Sequence, residues 1–304
     1  MILKIGRRLY ALIVIMMPLC GYAQIATYNH FPTIRPSHIL DEKLENISFA
    51  MGMRVLVSDY NGPLVRLRRA SDNAEKDFSW ADNDIVDIAA IDAWRGSSDV
   101  YVHTWYDQSG LERDAVQADK NRQPKFYTNA TYPYFQGDGN DDHLTIDTSN
   151  GIQDLIYDGK VGVVLTIMSA STKKQHAFGV LTYRDRWSAH VNWEDNHLYF
   201  DPGYCCNKTR DFYNVDKVDK WTQYTLMRTS TKRVIARANG TEKFNGDHDR
   251  NCTRTEDFAI GWATGDQPNK HATTKYLEFI MYKMDIPSEQ YEAIEENAMI
   301  FWGL

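Results

Sequence analysis

The chain has 304 residues, 43% hydrophobic, 25% charged and 12% aromatic, with 18 Gly, 9 Pro and 4 Cys. That composition excludes a disordered chain, a collagen-like repeat and a disulfide-dense miniprotein, and the length is ample for a sizeable core. Lys plus Arg is 34 against 41 Asp plus Glu, a formal net charge of −7, so nucleic acid is not an expected partner.

Residues 1–23 read as an export signal. Lys4, Arg7 and Arg8 precede a short apolar run from Leu9 to Leu19, and Gly21-Tyr22-Ala23 offers small residues where a signal peptidase reads. The run is too short to span a bilayer, which predicts cleavage before Gln24 and a secreted chain, extracellular or periplasmic. Cys20 follows Met17-Pro18-Leu19, a poor lipid-attachment signal. The leader holds three basic and no acidic residues, so its removal leaves 31 basic against 41 acidic side chains. No later stretch is apolar enough to hold the chain in a membrane, and a monomer is expected. Cys205, Cys206 and Cys252 remain. Two of them can pair in an oxidising compartment, either Cys205 with Cys206 or one of these with Cys252; their spacing fits no zinc site.

From Gln24 onward the periodicity is mostly that of strands. Residues 41–59 are the first exception, because Leu44, Ile47, Ala50 and Met51 fall at helical spacing. Strands are predicted at Leu64–Arg68, Val100–Tyr106, Gly162–Met168, Trp187–Trp193 and His197–Phe200. Further strands are predicted at Trp221–Leu226, Val234–Ala238, Phe258–Trp262 and Tyr276–Tyr282. Asn61-Gly62, Gly137-Asp-Gly-Asn140, Asn239-Gly240 and Gly265-Asp266 punctuate them, and Asn239-Gly240 is the strongest hairpin signal. A final helix, Glu289 to Phe301, is expected with Ser288 as its cap and Gly303 beyond its end. Many short strands and few helices predict an all-β sandwich or jelly roll, one domain over 24–304 with an N-terminal cap segment.

Three phrases carry a family resemblance: Gly62 to Glu75, Thr104-Trp-Tyr-Asp-Gln-Ser-Gly110 and Phe135-Gln-Gly-Asp-Gly-Asn-Asp-Asp142. They resemble the front of the family 54 arabinofuranosidase catalytic domain and many secreted concanavalin A-like or laminin G-like chains. His190-Val-Asn-Trp193, His197-Leu-Tyr-Phe-Asp201 and Cys205-Cys206 resemble the second half of those laminin G-like chains. The resemblance implies a concanavalin A-like jelly roll across about residues 48–285. The architecture, the export signal and Tyr28-Asn-His-Phe-Pro-Thr33 also resemble the short secreted ulvan lyases of polysaccharide lyase family 28, from which no catalytic residue is carried over.

The leading expectation is therefore an endo-acting lyase on an anionic, uronate-containing polysaccharide of the sulfated, ulvan type. β-Elimination needs a base, an acid for the leaving oxygen and positive charge near the carboxylate. His190, with Ser188 and Asn192 on one strand face, is the candidate base. Tyr199 and Tyr276 are candidate acids. Arg66 and Arg68 on an early strand, and Lys208 and Arg210 in a loop, could hold a carboxylate or sulfate, with Asn192 and Trp193 completing the substrate-binding set. Arg66 and Arg68 could equally pair with Asp72, Glu75 or Asp107.

The alternative is a retaining glycosidase with two carboxyl groups. Val191-Asn-Trp-Glu194 resembles the family 54 nucleophile strand and Ile260-Gly-Trp-Ala-Thr-Gly-Asp266 its acid/base loop, which implies Glu194 as nucleophile and Asp266 as acid/base. Cys205-Cys206 follows that strand here, whereas the family's vicinal pair precedes it. A non-catalytic glycan-binding module is the third reading, supported by 8 Trp and 18 Tyr. No cofactor is required by any of the three. Gly137 to Asp142 is rich enough in oxygen ligands for Ca²⁺, although it lacks EF-hand spacing and a plain turn suffices. Phosphate loops, nucleotide fingerprints, metalloprotease helices and Ser or Cys nucleophile signatures are absent.

Overall fold

The computed structural model describes residues 38–128, 130–206, 210–266 and 270–304. The leader, the Tyr28–Thr33 phrase and Lys208 lie outside the described residues. Every ladder between the named strands is antiparallel.

Pairing resolves two layers. One runs Ile47–Gly52, Lys275–Tyr282, Gly162–Ser169, Thr222–Arg228, Arg233–Ala238 and Thr241–Asp247. The other runs Glu75–Phe78, Val65–Arg69, Val100–Trp105, Ala115–Val116, Leu144–Ile146, Phe258–Ile260, Phe178–Thr182, Asp185–His190, His197–Tyr204 and Asp211–Tyr213. Lys125–Tyr127 and Tyr134–Gln136 join the layers at one side. Aromatic rings meet between them: Phe49 and Phe279 of the first layer lie 6.2 Å from Phe258 and 5.0 Å from Phe178 of the second. This interdigitated, fully buried cluster is what an aligned sandwich needs to close. The expected jelly-roll sandwich with few helices is the architecture observed.

Asn239-Gly240 makes the expected hairpin, with Ala238 opposite Thr241 and both turn residues at positive φ, 47° and 71°. That is the turn whose twist matches the flanking strands. The C-terminal helix spans Ser288–Trp302 and ends at Gly303 in the left-handed region, φ 67°. Pro287 occupies the cap position and no side chain caps the helix, so Ser288 is its first residue rather than its cap. Ile294 of this helix covers the outer side of the first layer, packing with Val163, Leu165, Met227 and Ile280. This second core explains why Gly162–Ser169 and Thr222–Arg228 are buried at every position.

The 41–59 reading needs correction. Ile47–Gly52 is a strand along Lys275–Tyr282, buried throughout. Phe49 and Met51 enter the inner core, while Ile47 and Ala50 join the outer one. A bulge between Ile47 and Phe49 shifts the register, and burial on both faces imitated helical spacing. Ile88–Arg95, a helix capped by Asp87 through the Ala90 amide at 2.9 Å, was not foreseen.

Candidate active site

The site is built on one hairpin. Asp185–His190 pairs with His197–Tyr204 so that Arg186 faces Gly203, Ser188 faces Asp201 and His190 faces Tyr199. Directly opposed residues share a sheet face. Trp187, Ala189, Leu198 and Phe200 turn inward to the core, so Arg186, His190, Tyr199 and Asp201 occupy the outer face. Asn192 at φ 54° and Asn196 at φ 63° close the turn; asparagine tolerates this conformation better than most residues.

A cleft of about 250 Å³ opens there, lined by Arg186, His190, Trp193, Tyr199, the Cys205–Cys206 pair, Arg210 and Lys270. The adjacent cysteines are the disulfide, and Cys252 is a free, buried thiol. Arg210 Nη1 donates to both oxygens of Asp201, at 2.8 and 2.6 Å, and Arg186 Nη1 stands 3.7 Å from the same carboxylate. The Asp201 side chain has 0% exposure. Burial raises its pKa against the pull of Arg210 and Arg186. Asp201 is thus the sealed counter-ion that aims both guanidinium groups.

Behind Lys270 lies a second carboxylate. Asp266 Oδ1 accepts from Lys270 Nζ at 3.0 Å, and its Oδ2 is 2.7 Å from His176 Nε2. Gly265 at φ 88° places it there, because a Cβ at Gly265 would come within 2.2 Å of the Leu181 carbonyl. His176 is wholly buried, with its ring centroid 3.9 Å from that of His190. Burial outweighs Asp266 and lowers the His176 pKa to about 4. Burial also drives His190 well below its ordinary value, with His176 adding to the shift. Both imidazoles are therefore neutral at pH 7, and His190 Nδ1 is 2.9 Å from the Gln175 carbonyl. Glu194 is on the exposed turn beside Trp193, 3.0 Å from Lys174. Lys174 and His176 are two residues apart, so one short segment carries the partners of both Glu194 and Asp266.

The structure gathers His190, Tyr199, Trp193 and Arg210 from the expected set and puts Tyr276, Asn192, Arg66 and Arg68 elsewhere. Tyr276 is buried under Phe135, with rings 5.1 Å apart, and its hydroxyl donates to the Ala177 carbonyl at 2.5 Å; it is a core residue and reaches no solvent. Burial raises its pKa further. Asn192 is also fully buried, donating to the Ala170 carbonyl at 2.7 Å and accepting from Asn214 at 2.7 Å; it braces the turn. Arg66 makes a bidentate pair with Asp77 at 2.8 and 2.9 Å on a different strand set. Arg68 bonds Gln123, Asn73 and the Lys120 carbonyl, facing another cleft. Tyr199 donates to Asp195 at 2.5 Å and lies under the Arg210 guanidinium, and its pKa is pushed up to about 12 by burial and then by Asp195. His176, Asp201, Arg186 and Lys270 were missed. Arg186 and Asp201 were legible as strand neighbours of His190 and Tyr199, whereas His176 and Lys270 lie in segments without a periodic pattern.

Asp138, Asp141 and Asp142 bring carboxylate oxygens within 4.8 Å of one another and are the described residues that could hold a cation. Their oxygens already serve the turn: Asp138 accepts from the Asn140 amide at 2.8 Å, and Asp142 from the Asp138 amide at 3.0 Å. Burial, then Asp138, raises the Asp142 pKa to about 7.

The sequence model of the family "Alpha-L-arabinofuranosidase B, catalytic" matches residues 48–164, a stretch that ends before the hairpin and its cleft. A solved arabinofuranosidase complexed with arabinofuranosyl-α-1,2-xylobiose is similar in fold, with TM-score 0.66 and 13% identity over 88% of this chain and 65% of that one. A GH54 α-L-arabinofuranosidase soaked with a cyclic sulfate inhibitor aligns with TM-score 0.61 and 11% identity, again over 88% and 65% of the two chains. The chain thus spans slightly under two thirds of the length of these structures. No curated protein matches it. These likenesses run to a glycoside hydrolase, which overturns the lyase expectation and leaves the ulvan resemblance without support. The burial of Tyr276 removes one of its two acids independently.

Proposed function

We propose that this chain is a glycoside hydrolase of the arabinofuranosidase type, releasing arabinofuranosyl units from a polysaccharide outside the cytoplasm. Support comes from the family match over residues 48–164 and the shared fold. The observation that carries the site assignment is the pairing of Lys174 with Glu194 and of His176 with Asp266 on one three-residue segment, next to Trp193, His190 and Lys270 of the cleft lining. Asp266 is the acid/base, and Glu194, the solvent-accessible carboxylate next to Trp193, is the nucleophile. Asp201 is excluded from the nucleophile's role by its sealed position under Arg186 and Arg210, since a nucleophile must touch the anomeric carbon.

In the retaining reaction Asp266 protonates the leaving oxygen while Glu194 attacks the anomeric carbon; water, deprotonated by Asp266, then releases the sugar. Glu194 must exchange Lys174 for substrate, a rearrangement open to an exposed side chain. With His176 and His190 neutral, Asp266 pairs with Lys270 at 3.0 Å, a cation that a leaving group can displace. The test is release of nitrophenol from 4-nitrophenyl α-L-arabinofuranoside and of arabinose from arabinan and arabinoxylan. Loss of about 10²–10⁴ in rate is expected for Asp266→Asn on natural polymers. An unchanged rate in that variant would remove Asp266 from the chemistry.

A further inference from the structure

A second cleft, about 480 Å³, is formed by strands that take no part in the first. Its floor is a row across four strands: Arg68 opposite Tyr101, Tyr101 opposite Lys125, and Lys125 opposite Gln136. Such neighbours present their side chains together on one sheet face. Arg68 is buried and fixed in place. Its Nε donates to Gln123 at 2.6 Å, its Nη1 to Asn73 at 3.1 Å and its Nη2 to the Lys120 carbonyl at 3.1 Å, and its guanidinium lies 4.9 Å over the Tyr101 ring. Tyr127 stands beside the row, stacked on Tyr134 with centroids 4.8 Å apart.

The lining mixes donors and acceptors. Lys120, Asn121 and Gln136 supply N–H groups, while Asp138 and Asp142 supply carboxyl oxygens at the same wall. Lys125 has its charge balanced by Asp99 at 2.8 Å. An anion would meet these carboxylates, whereas a hydroxyl both donates and accepts and suits such a wall. Tyrosine rings add apolar surface for a sugar's C–H face.

One backbone segment runs between the two clefts. Lys270 lines the first cleft, and the amide of His176 donates to its carbonyl at 3.0 Å. Three residues on, the carbonyl of Thr273 accepts from Gln136 of the second cleft at 2.7 Å. Three residues span at most about 11 Å of backbone. A polymer seated in one cleft therefore has the other within reach.

We infer that the second cleft binds the neutral main chain of the polysaccharide whose side unit is cleaved at the first, with Arg68, Tyr101 and Tyr127 as its platform and Lys120, Asn121 and Gln136 as its hydroxyl partners. The pairing of the clefts rests on the proposed hydrolase reading; the binding itself does not. The test compares the full chain with a Lys120→Ala/Asn121→Ala variant, and with the same variant carrying Tyr127→Ala. Soluble arabinoxylan and a sulfated glycosaminoglycan serve as binding probes by affinity electrophoresis and calorimetry. Both variants should stay folded and bind arabinoxylan at least tenfold more weakly, with unchanged rate on 4-nitrophenyl α-L-arabinofuranoside. Unchanged arabinoxylan affinity in both folded variants, or no arabinoxylan binding by the parent chain, would overturn the inference, and tighter binding of the sulfated polymer would overturn its neutral ligand. Weakened polymer binding in a chain that turns over no arabinofuranoside would uphold this site and sink the hydrolase reading alone.

Discussion

Acidification should destabilise this fold through the buried His176–His190 pair at the cleft, and the size can be worked out. His176 is wholly buried with a pKa lowered to about 4, against about 6.5 in an unfolded chain. The unfolded state binds the proton first, so the stabilisation is complete above pH 6.5 and is lost as pH falls through 4. The full difference is about 3 kcal/mol, of which about 2.5 kcal/mol is gone by pH 4.5. His190 adds in the same direction, because its pKa is also depressed. Urea unfolding at pH 7 and pH 4.5 reads the loss, and the same pair of measurements on His176→Gln isolates the contribution of this ring from titrating carboxylates. The parent chain should lose about 2 kcal/mol more than the variant between those pH values. Equal losses would refute the argument that a buried, neutral His176 is what acid attacks.

Asp142 should act with the opposite sign. Its folded pKa of about 7 lies above the unfolded value, so stability falls as pH rises from about 4 to 7, by at most about 4 kcal/mol, and Asp142→Asn should flatten that slope in urea melts. Glu278→Ala would strand Arg54, whose Nε donates to Glu278 at 2.5 Å in the buried interior, and should cost about 3–5 kcal/mol in unfolding free energy. Tyr276→Phe should cost only about 1 kcal/mol, the loss of its bond to the Ala177 carbonyl, with turnover intact; a collapse of turnover in that folded variant would restore Tyr276 to the chemistry.

The fold was readable where burial has a single face. Val100–His103 and Arg233–Ala238 alternate buried and part-exposed positions, and Asn239-Gly240 supplies the turn from Arg233–Ala238 into Thr241–Asp247. Reading failed where both faces are covered. Ile47–Gly52 looked helical because its residues feed two cores, and the face of Asp185–His190 expected to be solvated is itself buried at Ser188 and His190. Within the site, alternation on one strand and its partner sufficed to place His190 and Tyr199 near one another. It could not reveal that Tyr276 points into the core, since a tyrosine with a backbone acceptor in reach is as content buried as exposed. Nor could it find His176 and Lys270, which are brought to Asp266 by the return of irregular segments rather than by any local pattern.

The proposed function requires hydrolysis of an arabinofuranosyl bond by Asp266 and Glu194 beside the hairpin cleft. Its most direct test is chromatographic detection of free arabinose from arabinan and arabinoxylan, with unsaturated products followed in parallel, for the parent chain, Asp266→Asn and Glu194→Gln. Arabinose from the parent chain, none of the unsaturated chromophore, and loss of release in both variants is the predicted result. Failure of the folded parent chain to release arabinose from either polymer, or full release by either variant, would contradict the account.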